Sequence, residues 1–176
     1  MLGAGATQIR RANYATRSTY FQALTSLTTG LERLGKLGLM LDYRIDHGKF
    51  PDLNYLKNEI GHNISLIYSR TAQVISRRAL AMQFLQNLND PIHQAIVRIL
   101  SDFAKGDRYS NIDLLVGAKR QSDPIEAWHI QVDQPLFNRY VSEKKEDMIR
   151  QRTGVITSVL AVASRTFPFS VFGVVY

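Results

Sequence analysis

Tyr20, Leu24, Leu27, Leu31, Leu34, Gly38, Leu41 and Ile45 follow one another at alternating steps of four and three. That spacing keeps one stripe of a helix apolar over about seven turns, and only partner helices laid along it can bury such a stripe. The pattern predicts an all-α helical bundle with a long first helix, from about Ser18 to Asp46. Ser18 or Thr16 supplies a capping hydroxyl, and Gly48 followed by Pro51 supplies the stop. Gly30, Gly35 and Gly38 lie inside this helix, each costing about 1 kcal/mol relative to alanine, and close packing against neighbours is the expected compensation.

Further helices follow from the same logic. One is expected from near Leu53, broken at Gly61 and continuing to about Gln86, with Ile64, Ile67, Tyr68, Thr71, Val74 and Ile75 as its apolar face. Asp90 and Pro91 form a strong N-cap pair for a third helix to about Lys105, with Ile92, Ile96, Ile99, Leu100 and Phe103 inward. The stretch 112–116 suggests a further short helical or extended turn. Gln121 to Gln134 alternates enough to suit a strand, but Asp123 and Pro124 favour a short helix. A last long helix is expected from Pro135 to Arg165, ending at Pro168. The apolar C-terminal run is interrupted by Arg165 and Pro168, so it reads as a buried helix and docked tail rather than a membrane span. The domain plan is a flexible basic tip over residues 1–16 and a single helical bundle over 17–176.

Composition decides which chemistry is open. With no cysteine, disulfides, zinc-thiolate sites and thiol nucleophiles are excluded, and the chain is compatible with a reducing compartment such as the cytoplasm. A formal charge of +7 favours polyanionic partners, RNA or a nucleotide among them, because phosphate neutralisation releases counterions. Residues 1–31 contain Arg10, Arg11 and Arg17 and no acid, a composition shared with mitochondrial presequences, although from Thr19 onward the same residues already serve the helical stripe. The four histidines, His47, His62, His93 and His129, are widely separated and show no metal-ligand spacing, and no phosphate-binding glycine motif or nucleophile elbow occurs. No cofactor or metal is therefore implied.

Two polar clusters stand out. Glu32, Arg33, Lys36, Asp42 and Arg44 share the long helix, and Glu32 and Lys36 are spaced to pair or simply to form a solvated face. Asp107, Arg108, Tyr109, Asn111 and Asp113 follow a helix end. A guanidinium beside a phenol and an amide suits a phosphate or a stacked base, and the same residues equally suit helix capping.

The segments TxGLERLGKL, GKFP, LKNEIGHNISLIY and ILSDFAKGDRYSNIDLL together resemble bacterial members of the HEPN superfamily, the higher eukaryote and prokaryote nucleotide-binding domains. The resemblance spans residues 17–117 and rests on Thr28, Gly30, Glu32, Arg33, Lys36, Gly61, His62, Tyr68, Phe103, Arg108, Tyr109, Asn111 and Asp113. It implies an all-α bundle that commonly dimerises, with members acting as metal-free ribonucleases in bacterial defence and others binding nucleotides or RNA without cleavage. The Arg-x4-6-His motif of the ribonucleases is missing: two residues separate Arg44 from His47, and eight separate Arg120 from His129. Three readings follow. The first is an RNA- or nucleotide-binding module using Arg33, Lys36, His62, Arg108, Tyr109, Asn111 and Asp113. The second is a metal-independent endoribonuclease with Arg108, Tyr109 and His62 as catalytic candidates, His62 and Arg108 meeting only by tertiary contact. The third is a structural or protein-interaction domain whose glycine-containing first helix and apolar tail form an interface. Expected partners are RNA or a nucleotide, a further copy of the chain, and a protein partner; no membrane is expected.

Overall fold

The computed structural model describes residues 1–14, 16–81, 89–109, 115, 117, 122–145 and 147–153. Among these residues every regular element is helical. The helices are α1 (Leu2–Arg11), α2 (Arg17–His47), α3 (Ile64–Arg77), α4 (Pro91–Lys105), α5 (Pro124–Trp128) and α6 (Gln134–Tyr140). A π-helical turn, Tyr55–Ile60, precedes α3, a 3-10 turn, Asp107–Tyr109, follows α4, and a π-helical turn, His129–Asp133, joins α5 to α6. The chain divides into two compact units, Met1–Pro135 and Leu136–Tyr176, so the single bundle expected over 17–176 is one unit only as far as Pro135.

Within the first unit α2 is the spine, packed against α1, α3, α4 and α5. It spans the expected residues, but the expected capping hydroxyl is not used: Thr16 stands at the N-cap and its hydroxyl donates to the Asn13 carbonyl instead. The helix ends at Gly48, whose φ of 71° lets its N–H reach back to the Arg44 carbonyl at 2.8 Å. Residues 1–16 are not a flexible tip. They hold α1, which lies against the N-terminal half of α2 through two reciprocal glycine contacts. A Cβ on Gly5 would sit 2.8 Å from Leu27 Cγ, and one on Gly30 would sit 2.7 Å from Leu2 Cγ. The absence of side chains lets the two backbones approach, which is the compensation for glycine inside α2.

After Gly48 the chain doubles back, and α3 then runs parallel to α2. Glu32 meets His62, Gly35 meets Ile67, and Asp42 and Asp46 meet Arg77 and Arg78. Leu39, Ile60 and Ile67 form the apolar cluster between them, flanked by Tyr55, Leu56 and Val74. Helix α4 starts at Pro91, with the Asp90 carboxylate accepting the Ile92 N–H at 2.8 Å, and buries Ile92, Ile99, Leu100 and Phe103. Helix α5 begins on the same device: Asp123 accepts the Ile125 and Glu126 N–H groups, and Pro124 takes the first helical position.

Three expectations are corrected. The apolar stripe of α2 is not covered along its whole length: Tyr20 and Leu24 are buried, while Leu34, Leu41 and Ile45 are exposed. Helix α3 ends at Arg77 rather than continuing to Gln86, its last turn closed by Arg78 and followed by Ala79 at φ 49°. The long C-terminal helix is absent in the described residues. Helix α6 stops at Tyr140, and a new helical turn starts after Ser142, whose carbonyl accepts the Lys145 N–H at 2.9 Å. The remainder of that helix, the apolar tail and most of the turn expected at 112–116 lie outside the described residues. No helix among the described residues is long and apolar enough to cross a membrane.

Candidate functional site

The polar residues singled out on α2 separate into four groups. Glu32 and Lys36 pair at 2.8 Å and face the entry to α3. Asp42 lies further along, bound to Arg77 and Arg78, which also hold Asp46. Arg33 reaches toward the start of α1, its Nη1 3.5 Å from Met1 Sδ, and Arg44 lies over the Phe50 ring at 4.7 Å.

His62 joins the first group. Gly61, at φ 58°, turns the chain from the π-helical turn into α3 and delivers His62 to the side of Glu32. Both carboxylate oxygens lie 3.0 Å from His62 Nδ1. Two acceptors at one ring nitrogen place a proton on Nδ1, so in the neutral ring Nε2 carries the lone pair. The His62 side chain is 63% exposed, against 20% for Glu32, so the ring is held at its Nδ1 edge and open to solvent elsewhere. Burial disfavours the charged form of Glu32, but hydrogen bonds from Lys36 and His62 outweigh it and hold the carboxyl below its ordinary range.

The adjoining residue anchors this arrangement. Asn63 caps α3, accepting the Leu66 N–H at 3.2 Å, and also accepts the Ser101 hydroxyl at 3.1 Å. Ser101 is fully buried, and its oxygen in turn accepts the Ser65 N–H at 3.2 Å. Tyr68 and His93 bond at 2.7 Å further along, which fixes α3 antiparallel to α4. Consequently the start of α3, with His62, and the end of α4, with Arg108, lie at the same end of that helix pair.

At that end the Arg108 guanidinium sits 5.0 Å from the centre of the Tyr109 ring, and both residues are exposed while Asp107 is buried. No hydrogen bond joins His62 to Arg108 among the described residues. Asn111 and Asp113 lie outside the described residues. The other histidines have local partners: His47 Nδ1 lies 2.9 Å from the Tyr43 carbonyl, His93 bonds Tyr68, and His129 stacks on Tyr14 at 4.5 Å. No three His, Asp or Glu residues gather at metal-binding distance among the described residues.

Several contacts were not anticipated from sequence. Asp133 binds the Tyr20 hydroxyl and accepts the Trp128 indole N–H at 3.0 Å; burial, then this contact, pushes the Tyr20 phenol well above its ordinary range. Arg17 pairs with Asp123, tying the start of α2 to that of α5. A cleft of about 400 Å³ between α2 and α3 is lined by Leu39, Asp42, Tyr55, Arg70 and Val74 among others. Among the described residues only the i,i+4 spacing of Glu32 and Lys36 signalled an ion pair in advance; the others join residues at least 30 apart or close a helical turn onto a histidine.

The first unit is thus a helical bundle of three principal helices, α2, α3 and α4, carrying a carboxylate-held histidine beside a lysine. No protein-family model, curated protein or solved structure matches the chain.

Proposed function

We propose that this chain is a HEPN-like helical module that binds RNA or a nucleotide, of the kind used in bacterial defence or stress response. The observations that carry the reading are an oriented, solvent-facing His62 beside a Lys36 ammonium, and an Arg108 over an exposed Tyr109 at the same end of the α3–α4 pair. An ammonium and a guanidinium offer hydrogen bonds and positive charge to phosphate oxygens, the His62 Nε2 lone pair can accept from a ribose hydroxyl, and Tyr109 offers a face on which a base can stack. The net charge of +7 adds a sequence-independent attraction that weakens with salt. A gel-shift titration of labelled RNA in chelator tests it. The expected result is a salt-sensitive shift weakened by Arg108→Ala and by His62→Ala; a shift indifferent to both overturns the reading.

The Glu32–His62 pair favours a second reading, a metal-independent endoribonuclease. Nε2 with a free lone pair is suited to take the proton of a ribose 2′-hydroxyl as it attacks the adjacent phosphorus. Glu32 stabilises the imidazolium so formed, and a neighbouring cation such as Lys36 or Arg108 offsets the charge on the phosphorane oxygens. Protonated His62 can then return its proton to the departing 5′-oxygen. The same gel decides between the two: product fragments that disappear in His62→Ala indicate cleavage, and intact shifted RNA indicates binding alone.

A further inference from the structure

Arg70, Gln73, Val74 and Arg77 follow one another on α3 at steps of three, one and three, so they share one face of that helix. Leu39 and Asp42 of α2 and Tyr55 of the π-helical turn complete the lining of the cleft of about 400 Å³. Sites for small molecules commonly enclose roughly 300–1,000 Å³, apolar for the most part, with a few polar groups that fix orientation. The cleft lies about two turns along α2 from Glu32, apart from the His62 group.

One wall of the cleft is apolar and already built. Leu39 is 4% exposed and belongs to the core cluster with Ile60 and Ile67, while Tyr55 and Val74 flank that cluster. The Tyr55 ring is held by the Tyr43 ring, 5.4 Å away between centres. A flat apolar body laid on this wall leaves water for aliphatic and aromatic side chains that do not have to move to receive it.

Charge on the rim is uneven. Arg77 commits both terminal nitrogens to Asp42 and Asp46, and Arg78 holds the same two carboxylates. Arg70 is half-buried, and no hydrogen bond or ion pair engages it among the described residues. One cation thus stands uncompensated beside an apolar wall, with the Asp42 carboxylate in the same lining.

We propose that this cleft binds a small aromatic monocarboxylate, its carboxylate on Arg70 and its ring against Tyr55, Leu39 and Val74. A guanidinium receives a carboxylate through two parallel hydrogen bonds, and the Gln73 amide, one turn along, offers a further donor. A single negative charge matches the single uncompensated cation. A dianion such as a phosphate monoester brings its second charge toward Asp42, so the site discriminates against the phosphates of the RNA reading, on which this inference does not rest.

Isothermal titration of the full chain with β-naphthoate tests it. The acid should bind saturably, one per chain. Arg70→Gln, at a side chain with no partner to lose, should leave the circular dichroism unchanged and raise Kd about tenfold or more. The uncharged β-naphthylmethanol should bind the wild type about tenfold more weakly than the acid does, an arm that needs no variant, and should not distinguish wild type from Arg70→Gln. Inorganic phosphate should not displace the acid. In amide NMR spectra β-naphthoate should move the signals of Leu39, Arg70 and Val74 and leave those of His62 and Tyr109 in place. Absence of saturable binding, an affinity indifferent to Arg70→Gln, an alcohol as tight as the acid, displacement by phosphate, or shifts at His62 and Tyr109 instead of the cleft overturns the proposal.

Discussion

Glu32 grips His62 through both carboxylate oxygens at 3.0 Å from Nδ1, across 30 residues of sequence. The contact fixes the ring's tautomer and leaves its other nitrogen in solvent. Replacing Glu32 with Gln should keep the ring in place while removing the charge that stabilises an imidazolium. If the chain cleaves RNA, Glu32→Gln should lower kcat by about 10²- to 10⁴-fold with little change in KM, and His62→Ala should abolish turnover. Single-turnover cleavage of a short labelled RNA in chelator provides the measurement.

Acid should destabilise the fold in a defined window. Glu32, Asp46 and Asp123 all lie below their ordinary values of 4.5, 3.8 and 3.8. For Asp123, burial opposes ionisation but the Glu126 N–H and Arg17 prevail; for Asp46, Arg77 and then Arg78 hold the charge. A depressed folded-state pKa contributes stability that is fully present above the unfolded value and lost as pH falls through the folded one. Thermal melts should therefore show Tm level down to about pH 5 and falling below about pH 4.5, with a shallower fall in Glu32→Gln.

Two glycines of α2 should respond oppositely to alanine. Gly35→Ala forces a methyl onto Ile67 and should cost about 1–3 kcal/mol. Gly38→Ala meets open space and should gain about 1 kcal/mol in helix propensity. Urea melts of the two variants beside the wild type provide the measurement.

Asp42 accepts from both Arg77 and Arg78 where α2 and α3 end together. Asp42→Asn leaves the two guanidiniums with one acid between them and should lower Tm by about 3 °C, roughly 1 kcal/mol in a chain of this size. Restoring the wild-type melt in Arg77→Gln/Asp42→Asn would show that charge balance, not packing, is what the aspartate supplies.

The helices were largely legible in the sequence, and for local reasons. Asp90–Pro91 and Asp123–Pro124 start helices by satisfying the first N–H groups within three residues, and Gly48 ends one by its own backbone freedom. Helix α1 was missed because Leu2, Gly5 and Gly30 reveal their use only when the two backbones are in contact. The break at Ser142 was missed because the charged residues around it suit a helix whether continuous or interrupted.

The candidate residues His62, Lys36 and Arg108 were each visible as types suited to phosphate chemistry, but their grouping was not. Periodicity reports that a stripe is apolar; it does not report where its cover ends, so Leu34, Leu41 and Ile45 read the same as Tyr20 and Leu24. The sequence by itself determined an all-α chain, the start of α4 and the end of α2, since caps and heptads act within a few residues. Only the tertiary structure decided that Glu32 would take His62, that Asp42 would take Arg77 and Arg78, and that half of α2 would stay bare. Those outcomes depend on the return path of residues 48–63, which sets α3 parallel to α2 and so chooses which side chains meet.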